Sequence, residues 1–220
     1  NYTRLAQRMN TWLSSQTPAG ILFETDLRLR PNGDSGLLAC TVEAFRDYQL
    51  KHAWIWEHQA LTRARFVAGD PAVGERFEAI RHEILTQPRE PGKLRDEVLA
   101  MRQRMLDAHA SNSEEEFDLK QDPGGIIDVE FIVQYLVLAY AHAHPELTRN
   151  LGNIALLGMA ADLGLIPADL AEPVRNTYRE YRRMQHAARL NGNTRSRVER
   201  ASVLRRIETV RSLWHHVFAL

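Results

Sequence analysis

The longest apolar run in the chain, Phe131 to Ala141, is broken only by Gln134. A bilayer span needs about 20 such residues, so the run is too short to cross a membrane. It reads instead as the core helix of a bundle, starting after Gly124-Gly125 and extending to about His144. Apolar residues at helical spacing fill most of the remaining chain. The spacing predicts helices over 2–15, from the Thr41 cap to about His52, over 54–66, and from Asp70-Pro71 to about Thr86. Further helices are predicted over 93–110, 150–163, from Pro167 to about Leu190, and over 195–218. The connection from Ser111 to Asp122 reads as a polar, acidic loop.

One short region breaks this pattern. Ile21 to Leu29 and Leu37 to Thr41 read as strands, separated by Pro31-Asn32-Gly33-Asp34-Ser35-Gly36, which is turn chemistry. A β-hairpin is expected, and if it is part of a larger sheet, as the family resemblance given below implies, an exposed edge and apolar patch on it. The fold class is therefore mainly α, with a domain boundary near residue 70. On a strand, alternate residues share a face, which places Asp26, Arg28 and Arg30 together. A carboxylate flanked by two cations is held ionised and suits a hard metal such as Mg²⁺. The arginines suit phosphate or another carboxylate. A solvated face with local ion pairs uses the same residues.

Charge narrows the function classes. The 220 residues carry 28 Lys+Arg and 28 Asp+Glu, for a net charge of zero. A general nucleic-acid binder shows a basic excess, and a disordered chain pairs high net charge with low hydrophobicity. Neither fits. The single cysteine, Cys40, forms no intrachain disulfide and points to a reducing, cytoplasmic setting. The zero sum conceals a separation. Glu114 to Glu130 holds seven acids and one base, whereas Arg175 to Arg211 holds eleven arginines and three acids. The basic region either pairs with the chain's own acidic stretch or contacts an acidic partner.

Three blocks carry a more specific likeness. Asp26-Leu-Arg-Leu-Arg-Pro-Asn-Gly-Asp-Ser-Gly36 resembles the D-x-R-L-R-P-x-G-x-x-G signature of the glutamine synthetase adenylyltransferases. Trp54-Ile-Trp-Glu-His-Gln-Ala-Leu-Thr-Arg-Ala-Arg65 and Phe117-Asp-Leu-Lys-Gln-Asp-Pro-Gly-Gly-Ile-Ile-Asp-Val-Glu-Phe131 resemble two further segments of that family, in the same order. The family's enzymes add AMP to a tyrosine of glutamine synthetase and remove it. Each of their two halves is a nucleotidyltransferase domain followed by a helical bundle. The wording around Trp54 is similar to the C-terminal, adenylylating half.

The resemblance implies that residues 1–70 are the trailing part of an α/β nucleotidyltransferase domain and 71–220 a helical bundle. It implies ATP as substrate, Mg²⁺ as cofactor, and glutamine synthetase and the PII signalling protein as partners, with no nucleic acid or membrane involved. Asp26 matches one of three metal-binding carboxylates, with Arg28 and Arg30 beside it as catalytic candidates. Gly33 and Gly36 become candidates for close approach to a nucleotide, as do Lys120, Asp128 and Glu130 for the nucleotide cleft. The family's other two carboxylates lie in a G-x-S-D-x-D segment. No such segment occurs in residues 1–220, and by family order it is expected before Asn1, where the helical periodicity is already under way. The chain alone is therefore expected to be inactive. A non-catalytic docking module, the AMP-removing half and the related PII uridylyltransferase are the alternatives.

Simpler readings apply to the other motifs. Trp54 and Trp56 read as core or interface, and Glu57, Arg63 and Arg65 as ion-pairing residues. Acids in the first turn after Gly125 complement the helix dipole. His142 with His144, and His215 with His216, diverge on a helix and make poor metal ligands.

Overall fold

The computed structural model describes residues 2–21, 25–27, 30–31, 33, 36–109, 111 and 113–219. Nine α-helices dominate them, with two small two-stranded antiparallel sheets. The chain divides into two compact units, residues 1–84 and 85–220.

The first unit opens with α1 (Tyr2–Ser14). Its apolar stripe, Leu5, Met9, Trp12 and Leu13, is exposed, Trp12 to 67%. A tight hairpin follows, in which β1 (Gln16–Thr17) pairs with β2 (Gly20–Ile21). This differs from the expected hairpin. Residues 25–27 and 36–41 are in no strand, while 22–24 and 28–29, on the same predicted strand, lie outside the described residues. An isolated two-stranded ribbon is marginal in water, and no third strand lies beside this segment among the described residues. Ile21, Leu27 and Leu37 are exposed, as the expected apolar patch requires.

α2 (Val42–Lys51) starts where Thr41 predicts it, with Thr41 Oγ1 accepting from Ala44 N at 3.1 Å. α3 (Ile55–Leu61) is shorter than its periodicity suggests. Buried Arg81, on α4 (Pro71–Leu85), donates from Nε to Leu61 O at 3.0 Å and from Nη2 to Thr62 O at 2.8 Å. Those carbonyls are then occupied at the helix end, where a cation also complements the dipole. Burial pulls the Arg81 guanidinium below its ordinary range. Trp54 is not a core residue but is 68% exposed. Glu57 is buried, accepting from Trp54 N at 2.8 Å and from Tyr48 Oη at 2.9 Å. The Phe45 and Phe77 rings, 5.6 Å apart, join α2 to α4.

The second unit is built around α6 (Ile126–Tyr140), the helix of the long apolar run. Twelve of its fifteen residues are buried, as a helix apolar on all sides requires. Around it pack α5 (Pro91–His109), α7 (Asn153–Asp162), α8 (Ala168–Leu190) and α9 (Leu204–Phe218). No helix among the described residues is long and apolar enough to cross a membrane. Two segments depart from the sequence reading. The acidic connection contains β3 (Glu116–Asp118), which pairs with β4 (Arg197–Glu199) in register Phe117 opposite Val198. The helix expected from Arg195 therefore begins only at Leu204, after a 3₁₀ turn over Arg200–Val203. Backbone hydrogen bonding to β3 holds residues 197–199 extended, and burial of Phe117 accompanies it.

Candidate functional site

In the first unit, hydrogen bonds link the described residues of the D-x-R-L-R-P segment and the turn after it. Gly33 N donates to Arg30 O at 2.8 Å and Gly36 N to Gly33 O at 3.1 Å. Gly33 sits at φ 53°, a conformation that glycine adopts without a Cβ penalty. The half-buried Arg30 side chain folds back over the loop. Its Nε donates to Gly36 O at 3.1 Å and its Nη1 to Leu27 O. Asp26 is exposed on the same loop. Arg28 lies outside the described residues.

A single carboxylate does not make a divalent metal site. Among the described residues no group of three His, Cys, Asp or Glu gathers as metal ligands. Mg²⁺ therefore does not fit a site made from the described residues alone.

In the second unit the third motif block forms a tight turn held by its own acids. Asp118 Oδ1 accepts from Lys120 N at 2.9 Å and from Gln121 N at 3.1 Å. Asp122, 1% exposed, accepts from Ser111 N at 2.6 Å and from Asp118 N at 2.9 Å. Gly125 N donates to Asp122 O at 2.9 Å, which leads the chain into α6. Gly124 sits at φ 93°. A Cβ on Gly125 would lie 2.7 Å from Leu119 O and 2.9 Å from Asp122 O. Two adjacent glycines are thus a steric requirement of this turn.

Asp128 anchors the turn from within. Its Oδ2 accepts from Gly124 N at 2.6 Å, and its Oδ1 meets Arg102 Nε at 2.6 Å. Arg102 is 2% exposed and also donates to Gln121 O at 2.8 Å. Burial pushes the Asp128 carboxyl above its usual range, and Arg102 pulls against that rise. The pair lies beside a cavity of about 450 Å³, walled by Leu99, Leu106, Pro123 and Trp214. Glu130 is elsewhere, accepting from Tyr178 Oη at 3.2 Å. Lys120 lines a different, polar cleft of about 350 Å³. Lys120, Asp128 and Glu130 share a motif but do not converge on one cavity. Both oxygens of Asp128 are engaged, which gives it a positioning role.

The arginine-rich end meets the chain's own acidic stretch. Arg197 Nη1 lies 3.1 Å from Glu116 Oε2, and Arg200 Nη2 lies 3.7 Å from Asp122 Oδ2. Arg200 also stands over the Phe117 ring at 5.5 Å. Sequence reasoning missed Arg102 as the partner of Asp128 and singled out Arg189 and Arg195 only as part of the basic region, and Gln185 not at all. Each lies in a helix or loop remote from the motif blocks, and only the fold brings it near them.

Comparison with known proteins follows the same two-part division. Residues 1–80 match the family model for glutamate-ammonia ligase adenylyltransferase, and residues 92–200 match that for GlnD PII-uridylyltransferase. A bifunctional glutamine synthetase adenylyltransferase/adenylyl-removing enzyme from Aromatoleum aromaticum is 64% identical over 217 residues. That match covers 99% of this chain and 23% of the relative. Enzymes of the same name from Chromobacterium violaceum and Bordetella bronchiseptica are 58% and 53% identical, over 99% and 98% of the chain. The chain spans about a quarter of the length of these relatives.

Proposed function

The chain is homologous over nearly its whole length to part of the bifunctional glutamine synthetase adenylyltransferase/adenylyl-removing enzymes, and from that premise we propose that it serves their AMP-adding reaction. The carrying observation is the 64% identity maintained over 99% of the chain. The proposed reaction moves AMP from ATP to a tyrosine of glutamine synthetase. The tyrosine oxygen bonds to the α-phosphorus, the bond to the β-phosphate oxygen breaks, pyrophosphate leaves, and the hydroxyl proton passes to solvent. The adenylylating half is favoured by the Trp54-Ile-Trp-Glu-His-Gln block, and the removing half is its alternative. PII is the proposed signalling partner and the cytoplasm the proposed setting.

Residues 1–70 are read as the trailing part of the nucleotidyltransferase domain and 71–220 as the bundle behind it. The exposed stripe of α1 supports that reading, because Leu5, Met9 and Trp12 are an apolar face that a larger domain would cover. Asp26 is assigned as one of three carboxylates that hold Mg²⁺, the other two coming from the rest of the enzyme. Arg30 holds the loop that presents Asp26, and Gly33 and Gly36 leave its backbone open to a nucleotide. Arg28 is assigned to offset phosphate charge. Asp128 positions the turn that carries Lys120.

The test is Asp26→Asn in the full-length enzyme. AMP transfer is expected to fall to background while the protein stays folded, and near-normal transfer overturns the assignment. The 220-residue chain assayed alone is expected to give no turnover, since one carboxylate does not hold the metal pair of such chemistry. Assaying AMP addition against phosphorolytic removal with the full-length enzyme separates the two halves.

A further inference from the structure

The 350 Å³ cleft of the second unit collects basic residues from four separate segments. His109 ends α5, Lys120 follows β3, Arg189 lies in the last turn of α8, and Arg195 precedes β4. Elsewhere in this arginine-rich region, Arg175, Arg183, Arg197 and Arg200 each lie within 4 Å of a carboxylate. Among the described residues, Lys120, Arg189 and Arg195 have no such partner, and neither do Arg179, Arg182, Arg205, Arg206 and Arg211; what sets the first three apart is that they line one cleft. The one carboxylate in the cleft, Asp118, has an oxygen committed to the backbone N–H groups of Lys120 and Gln121. In a chain of zero net charge, three side-chain cations around one concavity repel one another until an anion offsets them.

A neutral group is set for the same ligand. Gln185 lines the cleft and is 93% buried, its exposure being 7%. Arg182 Nη1 donates to its Oε1 at 2.8 Å, which fixes the amide and leaves the Nε2 donor for the cleft. Arg189 and His109 also complement the C-terminal ends of their helices. Lys120 and Arg195 have no such role, and helix ends do not account for their meeting. The volume falls in the range of small-molecule sites. Arginine forks and an amide donor match phosphate oxygens.

We propose that this cleft binds the phosphate chain of a nucleotide-sized polyphosphate, held by Lys120, Arg189, Arg195 and the Gln185 amide. The inference goes beyond the reading of the reaction above and shares only Lys120 with it.

The experiment is calorimetric titration of the 220-residue chain with sodium pyrophosphate, ATP and adenosine, without glutamine synthetase. Pyrophosphate or ATP is expected to bind saturably and adenosine not to bind. Affinity is expected to weaken as salt rises from ~50 to ~200 mM, because the Debye length shortens and the attraction is screened more strongly. The exposed double variant Arg189→Ala/Arg195→Ala is expected to weaken binding at least about tenfold, one decade for each ~1.4 kcal/mol lost. The charge-matched variant Arg179→Ala, outside the cleft, keeps it. Binding of ATP alone identifies a nucleotide as the source, and equal binding of pyrophosphate identifies the free anion. Failure of both anions to bind, or undiminished binding by the double variant, overturns the proposal. Because no acceptor protein is present, that failure is distinct from failure of AMP transfer in the full-length enzyme.

Discussion

Asp128 and Arg102 place a carboxylate and a guanidinium out of water at 2.6 Å. Removing one member of such a pair strands the other charge, at a cost of roughly 3–5 kcal/mol. Asp128→Ala is therefore expected to lower the urea midpoint of the second unit strongly. Pairing it with Arg102→Met is expected to recover part of that loss, as a double-mutant cycle will measure. Gly125→Ala drives a Cβ against two backbone carbonyls that have nowhere to move, with an expected cost of about 1–3 kcal/mol. A Gly125→Ala variant as stable as the parent contradicts the described turn. The glycine pair and Asp128 were visible in the sequence as a block. Arg102 was not, because it lies 26 residues earlier on another helix, and no spacing rule links the two.

Helix starts were the most legible elements, because their signals are local. Thr41 caps α2, and Asp70 Oδ1 accepts from Ala72 N at 2.9 Å as α4 begins. Thr41→Ala is expected to cost about 1 kcal/mol, measured by chemical denaturation of the whole chain. Strands were poorly legible for the opposite reason. β3 and β4 are three residues each and become strands only by meeting. Phe117 belongs to an acidic segment that reads as loop, yet its ring is fully buried and packs 6.1 Å from Tyr181. Phe117→Ala is expected to cost about 3–5 kcal/mol and to lower the thermal midpoint of the second unit. An unchanged midpoint would show that the ladder does not hold the unit together. The segment around Asp26 errs the other way, since it has strand composition but, among the described residues, no neighbouring strand to pair with.

At the scale of the molecule, part of the zero net charge is a sum over internal partners. The acidic 116–122 stretch and the arginines at 197 and 200 satisfy one another, which favours the intramolecular reading of that charge separation. Residues 85–220 carry their own apolar helix at the centre. Expressed alone, they are expected to keep helical circular dichroism and unfold in one cooperative thermal transition. A broad, non-cooperative melt would contradict an independent core.

The β3–β4 ladder pairs Phe117 with Val198, 81 positions later in the chain. Ribosomes add about 5–20 residues per second, so Phe117 waits ~4–16 s for its partner strand to be made. During that time the acidic segment has emerged with its most apolar side chain uncovered. The helices α5 to α8 can form as they appear, but the strand that pairs with β3 is made only after all four of them. A nascent chain of this protein thus presents a chaperone with an open seam at β3 until residues 197–199 are made.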